Sequence, residues 1–346
     1  MVEEKRVLIA GGSGVFGRLL GREILATTNV KLILAGRDGA ALARACRSLE
    51  DSGRTEALAL DLADPASFSR SAAGCFAVIC AAGPFHALDS GLPRLAAAAG
   101  AHWLDIGDDR TWVVSLLEDE GLHAAARRAG TAVMPGVSTV PGLSGVLARW
   151  CRARAPRATR ARVVLWIGNR NAKGAAAIAS ALNSGFADPV RVRLPVGRVR
   201  AWRFRSPDEA LFPRDLGLAA EFRVAFEWGL SSLLLASLQG VVTGERLSRW
   251  LSRLSAPANV FGSDAGFLQV EVFDPDESPA AAASLTGKGQ RMAIVPAALA
   301  LEALLSGELR DRGCVNPAAW LPPEEWIARL GRRGMAFAGT PEGSMP

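Results

Sequence analysis

The feature that most limits what this chain can fold into is Gly12-Ser13-Gly14-Val15-Phe16-Gly17, because of what flanks it. Before it runs the continuous apolar stretch Val7-Leu8-Ile9-Ala10, which reads as a buried strand. After it, apolar residues recur at helical spacing through Leu25. Strand, glycine turn and helix in that order form a dinucleotide-binding fingerprint. Gly12 serves the tight turn, Gly14 leaves room for a pyrophosphate, and Gly17 lets the helix pack closely on the strand. The helix N-terminus adds N–H groups and a partial positive charge. Gly11, Gly12, Ser13, Gly14, Val15, Phe16 and Gly17 are therefore the expected phosphate cradle.

The rhythm continues downstream. Apolar strands at Leu32–Ala35, Ala57–Leu60, Ala77–Cys80, Trp103–Ile106 and Ala132–Met134 alternate with Ala-rich helical stretches. Strands apolar on both faces, separated by helices, predict a doubly wound parallel sheet of the Rossmann type. Past Pro135 the pattern changes: 198–204 and 267–273 alternate as half-exposed strands do, predicting an α+β domain with a mixed or antiparallel sheet. Pro296 reads as the first turn of a helix running to about Leu305. The expected division is 1–140 for the dinucleotide domain, 141–305 for the second domain, and 306–346 for a segment packing back on the first. The tail 339–346 reads as frayed.

Composition narrows the chemistry. Of 346 residues, 49% are hydrophobic and 21% charged, which excludes disorder for the bulk of the chain. There is no tyrosine, so the Tyr-x-x-x-Lys acid of short-chain reductases is impossible. Only Lys5, Lys31, Lys173 and Lys288 could form a Schiff base. The net charge of +6 is dispersed, without interleaved aromatic residues, so a polyanionic cofactor explains it better than nucleic acid. Cys46, Cys75, Cys80, Cys151 and Cys314 show neither zinc nor C-x-x-C spacing, which predicts reduced cytoplasmic thiols and no metal. The N-terminus runs straight into a strand with no signal peptide. The apolar run Trp228–Val242, broken by Gln239, is too short for a bilayer and reads as a buried helix. Trp202, Trp228 and Trp250 read as core or interface, and the arginine-rich stretch 149–162 as a solvated helix end and linker.

Cofactor choice turns on the end of the second strand. An NAD site wants an acid there for the ribose 2′-OH, whereas Gly36-Arg37 offers a guanidinium suited to a 2′-phosphate. NADP(H) is expected, with neighbouring Asp38 the argument for NAD. Asp61 and Leu62 sit where adenine-side contacts fall, or where a loop precedes Asp64-Pro65. Ala81, Gly83 and Pro84 follow the fourth strand and complete the expected cofactor contacts. Reactive groups in an open parallel sheet lie beyond the carboxyl ends of strands, which selects 83–86, 105–109 and 136–139. His86 there suits proton transfer. Asp105, Asp108 and Asp109 form an acidic group able to bind a substrate cation or share protons, or to cap the next helix. His86, Asp105 and Asp109 are the candidate catalytic residues. His102 and His123 read as structural.

The run Ala82-Gly83-Pro84-Phe85, then Gly91, an Ala-rich helix and Trp103-Leu104-Asp105-Ile106-Gly107-Asp108-Asp109 resembles the saccharopine dehydrogenase-like oxidoreductases. Trp103 stands for the family's aromatic residue, Asp105 for its aspartate and Asp109 for its glutamate. The resemblance covers the first 145 residues and returns at Arg312-Gly313-Cys314-Val315-Asn316-Pro317. It departs at Val140-Pro141-Gly142-Leu143, where many members carry Asp, which weakens the case for an amino-acid substrate. The resemblance implies the fold, an NADP(H) cofactor and a two-domain cleft. The expected activity is hydride transfer to a C=N, C=O or conjugated C=C group of a small or carrier-bound substrate, with a homodimer as assembly. The alternative is a catalytically silent NADP(H)-binding protein.

Overall fold

The computed structural model describes residues 4–49, 53–171, 187–227 and 262–340. The run Trp228–Val242, Trp250, Lys173 and the last six residues of the tail lie outside the described residues. The chain divides into two units, Met1–Ser138 with Ala293–Trp320 and Thr139–Met292 with Leu321–Pro346.

The first unit opens with β1 (Arg6–Ala10), α1 (Val15–Thr27), β2 (Lys31–Gly36), α2 (Gly39–Ser48), β3 (Thr55–Ala59) and α3 (Pro65–Ala72). It continues with β4 (Ala77–Cys80), α4 (Leu92–Ala98), β5 (His102–Asp105), α5 (Arg110–Glu118), α6 (Glu120–Arg128) and β6 (Ala132–Met134). The second unit holds α7 (Ser144–Arg154), β7 (Arg160–Ile167), β8 (Ala187–Leu194), β9 (Gly197–Phe204), α8 (Asp208–Leu216), β10 (Ala219–Phe226), β11 (Ala265–Phe273) and β12 (Pro279–Lys288). Helix α9 (Arg291–Ser306) leads back to β13 (Gly313–Cys314) in the first unit. Helix α10 (Pro323–Arg332) and β14 (Ala336–Thr340) return to the second.

In the first unit seven strands lie in the order β3-β2-β1-β4-β5-β6-β13, all parallel. This is the doubly wound order, with the direction of winding reversing between β1 and β4. Val7, Leu8, Ile9, Leu32, Leu34, Val78, Ile79 and Leu104 have no exposed surface. Strands sealed on both faces need helices on both sides, which the intervening segments supply. Asp38, Asp64, Asp109 and Asp119 cap α2, α3, α5 and α6, each accepting first-turn backbone N–H groups. Such a cap contributes about 1 kcal/mol, so acids after strand ends serve the fold first.

The second unit carries a mixed sheet in the order β14-β12-β11-β7-β10-β9-β8, where, among the described residues, only β7 and β10 pair parallel. Val164, Trp166, Val192, Leu194, Ala201, Ala225 and Phe267 form a core on it. Trp202 is also buried.

Three expectations change. The unit boundaries differ from 1–140, 141–305 and 306–346. Ser138 Oγ donates to the Ala293 carbonyl at 3.0 Å, and β13 pairs with β6, which ties 293–320 to the first unit. Beyond it β14 pairs with β12, so the C-terminal segment is shared between units. Pro296 lies inside α9 rather than in its first turn. The helix starts earlier, with Met292, Ile294 and Val295 buried, and the missing proline N–H removes one bond to the preceding turn. The arginines of 149–162 are not a linker. Arg149 meets Asp215 at 3.8 Å, Arg154 meets Glu324 at 3.1 Å, and Arg162 meets Glu221 at 2.6 Å.

Asp208 is fully buried at the start of α8. Ser144 Oγ at the head of α7 donates to Asp208 Oδ1 at 3.0 Å, while Oδ2 has no hydrogen-bond partner. Burial pushes this carboxyl up to about 7. The folded chain therefore holds a proton that the unfolded chain releases near pH 4, and stability is lost as pH rises through 7. The neutral isostere Asp208→Asn should raise the melting temperature at pH 8, a gain on the order of a few kcal/mol that fades towards pH 4. A difference between variant and wild type that stays constant from pH 4 to pH 8 in thermal denaturation would contradict the assignment.

Candidate functional site

The glycine loop sits at the reversal point between β1 and β4. Gly11 and Gly12 donate to the Ala35 carbonyl of β2 at 2.9 and 3.0 Å, and Ala81 donates to the Ala10 carbonyl at 2.9 Å. Gly11 has φ +78°, and a Cβ there would stand 2.8 Å from the Ala82 nitrogen. A Cβ on Gly12 would stand 2.7 Å from Leu34 Cβ, and one on Gly17 would collide with the Gly11 carbonyl. Gly14 is different: a Cβ there would meet only the Gly11 oxygen, at 3.1 Å. So three glycines are demanded by the chain packing on itself, and Gly14 borders open space.

Gly14 is also the N-cap residue of α1 and supplies no side-chain cap. The N–H groups of Val15, Phe16 and Gly17 in the first turn have no intrahelical acceptor. No acid lies in that turn to compete for them. Arg18 donates to the Ser13 carbonyl and steadies the turn. A cradle of backbone donors without side chains or negative charge fits a pyrophosphate.

At the end of β2, Arg37 and Asp38 are exposed. Asp38 Oδ1 accepts the Ala41 N–H at 2.9 Å and caps α2, whereas Arg37 carries the positive charge at this edge. Asp61 is exposed and its Oδ1 accepts the Ala63 N–H at 3.1 Å, a local turn, with Leu62 half-buried beside it. Gly83 is exposed and Pro84 half-buried after β4.

Asp105, expected among the catalytic residues, has another task. It is fully buried at the end of β5. Its Oδ2 accepts the indole N–H of Trp103 at 2.9 Å and of Trp112 at 3.0 Å. Its Oδ1 accepts the backbone N–H of Gly107 at 2.9 Å and of Gly136 at 2.8 Å. Burial pushes its carboxyl up, and the four donors hold it down in turn. With both oxygens doubly engaged and sealed from solvent, Asp105 holds β5, β6 and α5 together. Asp109 is likewise engaged: its Oδ1 accepts the Trp112 N–H at 2.9 Å as the cap of α5.

Two other side chains remain at this edge. His86 is exposed on the short 3-10 turn Phe85–Ala87 after β4. Phe85 packs on Trp112 with ring centroids 5.8 Å apart, which brings that turn to the start of α5. Asp108 is the acid that the candidate catalytic set omitted. Its side chain reaches solvent, yet surrounding protein raises its carboxyl to about 6, with the Asp109 charge adding to the push. The sequence carried a signal for it, since Asp108 is neither the strand-end acid nor the cap position three residues before Trp112. Ser138 donates its hydroxyl to the Ala293 carbonyl, which uses it in the fold. His102 Nδ1 accepts the Ala132 N–H at 2.9 Å, and burial lowers its ring to about 4, so it stays neutral.

Replacing Asp105 should therefore damage the fold before it damages any reaction. Asp105→Leu leaves four buried N–H groups without an acceptor, a loss of about 3–5 kcal/mol. Chemical denaturation checks this; a variant with wild-type stability would return Asp105 to the list of substrate-facing groups.

No protein-family model matches the sequence, and no curated protein matches it. Solved structures do. Saccharopine dehydrogenase (L-Glu forming) from Saccharomyces cerevisiae is 13% identical, covering 97% of this chain and 99% of that one, with a TM-score of 0.66. GenD2 from gentamicin A biosynthesis, solved in complex with NAD, is 14% identical over 98% of this chain and 97% of that one, with a TM-score of 0.46. The chain thus has the saccharopine dehydrogenase-like fold, a Rossmann sheet joined to a mixed-sheet unit.

Proposed function

We propose that this chain is a nicotinamide-dependent oxidoreductase that prefers NADP(H). The observation that carries the reading is the arrangement at β1 and β2: a side-chain-free cradle at Gly14, and Arg37 at the strand end where Asp38 is spent on capping. In this reading Gly11–Gly17 hold the pyrophosphate, Gly36 and Arg37 the 2′-phosphate, Asp61 and Leu62 the adenine side, and Ala81, Gly83 and Pro84 the nicotinamide half. Bound nicotinamide supplies the hydride. The chain's own part is to hold the acceptor and deliver a proton. His86 is the proposed proton donor, on an exposed turn anchored by the Phe85–Trp112 contact. Asp108, raised to about 6, is a second group able to hold a proton near neutral pH.

The proposed acceptor is a C=N, C=O or conjugated C=C group of a small or carrier-bound molecule. Val140 is buried and offers no charge to a substrate ammonium, which weighs against a free amino acid. The competing reading is an NADP(H)-binding protein without catalysis. It gains support from Asp105 and Asp109, both committed to hydrogen bonds within the fold.

Titration of NADPH and NADH separates the cofactor part. Arg37→Ala should lose about tenfold or more in NADPH affinity, the value of a charged contact, and little for NADH. Gly14→Val should abolish binding of both. Equal affinity of the wild type for the two cofactors would refute the preference.

Catalysis is tested by NADPH oxidation over imines, ketones and enoyl thioesters. His86→Ala should lower turnover by about 10²–10⁴ with cofactor affinity unchanged. Turnover unaffected by that change would remove His86 as donor.

A further inference from the structure

A recess of about 640 Å³ lies at the β13 edge of the first unit. Three segments line it: α6 through His123 and Arg127, the stretch Arg310–Arg312, and the segment from Cys314 to Trp320. Three arginines face a single acid, Asp311, a surplus of positive charge. Arg310 and Arg127 are exposed at the rim, while Arg312 is partly buried and held by the Leu309 and Asp311 carbonyls at 2.9 Å. Val315, Ala319 and Trp320 add an apolar flank.

The recess is built by a glycine. Gly313 has φ +98°, and a Cβ there would stand 2.8 Å from the His123 ring and 3.0 Å from Arg127 Cγ. Only glycine permits β13 to approach α6 this closely. The approach lets the Cys314 N–H donate to His123 Nδ1 at 3.2 Å. With Nδ1 an acceptor, Nε2 is the ring's remaining donor. Burial, with the Asp119 charge adding to the push, keeps the Cys314 thiol protonated, raised to about 11, so no thiolate opposes an anion.

We infer that this recess binds a small organic anion bearing two acid groups, held by Arg127, Arg310 and His123 with its body against Trp320. Guanidinium forks bind phosphoryl and carboxyl oxygens alike in bidentate fashion. The shared chemistry is a pair of oxyanions, and two probes distinguish the sources: inorganic pyrophosphate for phosphoryl groups and citrate for carboxylates.

Calorimetric titration of the full chain decides the matter, in the wild type, in Arg127→Glu/Arg310→Glu and in Gly14→Val. Both reversed arginines are exposed, so the double variant should keep its melting temperature. The expected result is saturable binding of one probe, weakened at least about tenfold in the double variant and unchanged in Gly14→Val. Absence of saturable heat for both probes up to about 10 mM, a binding free energy weaker than about 3 kcal/mol, would overturn the inference. Binding unaffected by the arginine reversals would overturn it as well. A loss in Gly14→Val alone would assign the anion to the glycine loop instead, and would leave the cofactor reading standing.

Discussion

The first unit depends on one buried carboxylate. An isolated charge in a protein interior costs several kcal/mol, and the chain offsets this by aiming four N–H groups at Asp105. Those donors come from β5, the turn after it, the start of α5 and the end of β6. The carboxylate thus fixes where three neighbouring elements stop or begin. Its consequence reaches the surface, because Trp112 is both a donor to Asp105 and the ring against which Phe85 packs. The turn that carries His86 is positioned through that ring. Asp108, between the buried acid and the half-buried capping Asp109, is the most exposed carboxylate of the segment. A fully satisfied interior acid therefore presents a partly desolvated one outside.

The glycine loop works by the opposite logic. There the chain brings no negative charge, only backbone N–H groups on a loop tied to the Ala35 carbonyl of β2 and steadied by Arg18. Such donors recognise a pyrophosphate and are blind to which nucleotide carries it. In the proposed reading, discrimination comes from the end of β2, where Asp38 caps α2 beside Arg37. The aspartate accepts from the first turn of α2, and moving it to a ribose would uncap that helix at a cost of about 1 kcal/mol.

The parallel sheet was readable because sealed strands and a glycine turn leave a one-dimensional pattern. Val7–Ala10, Ala77–Cys80 and Ala132–Met134 are apolar at every position, and the structure buries them throughout. The mixed sheet was legible as alternation in β9 and β11, but its order was not, since pairing between distant strands such as β7 and β11 leaves no local mark. The structural work of Asp105 and Asp109 was hidden for a related reason. A carboxylate at a strand end looks the same in sequence whether it meets N–H groups or a substrate. Only the two indoles reaching back from Trp103 and Trp112 decide which. Helix α9 was shortened at Pro296 because proline favours first turns, a preference overridden by the buried residues before it.

The net charge of +6 also takes on a different meaning once the partners are known. Many arginines are consumed by carbonyl groups at helix ends. Arg54 donates to Thr28 and Leu25 at the end of α1, at 2.7 and 3.0 Å. Arg152 donates to the Leu216 carbonyl at the end of α8 at 3.0 Å, and Arg154 to Trp150 at 3.1 Å. A guanidinium can meet two carbonyls at once in a plane, which an ammonium on a flexible stem does less well. A chain with few lysines and many arginines has thus used part of its positive charge to finish its own helices. At the rim of the β13 recess Arg310 likewise donates Nε to the Gly307 carbonyl at 3.4 Å, and the exposed charge of Arg127 stands beside it.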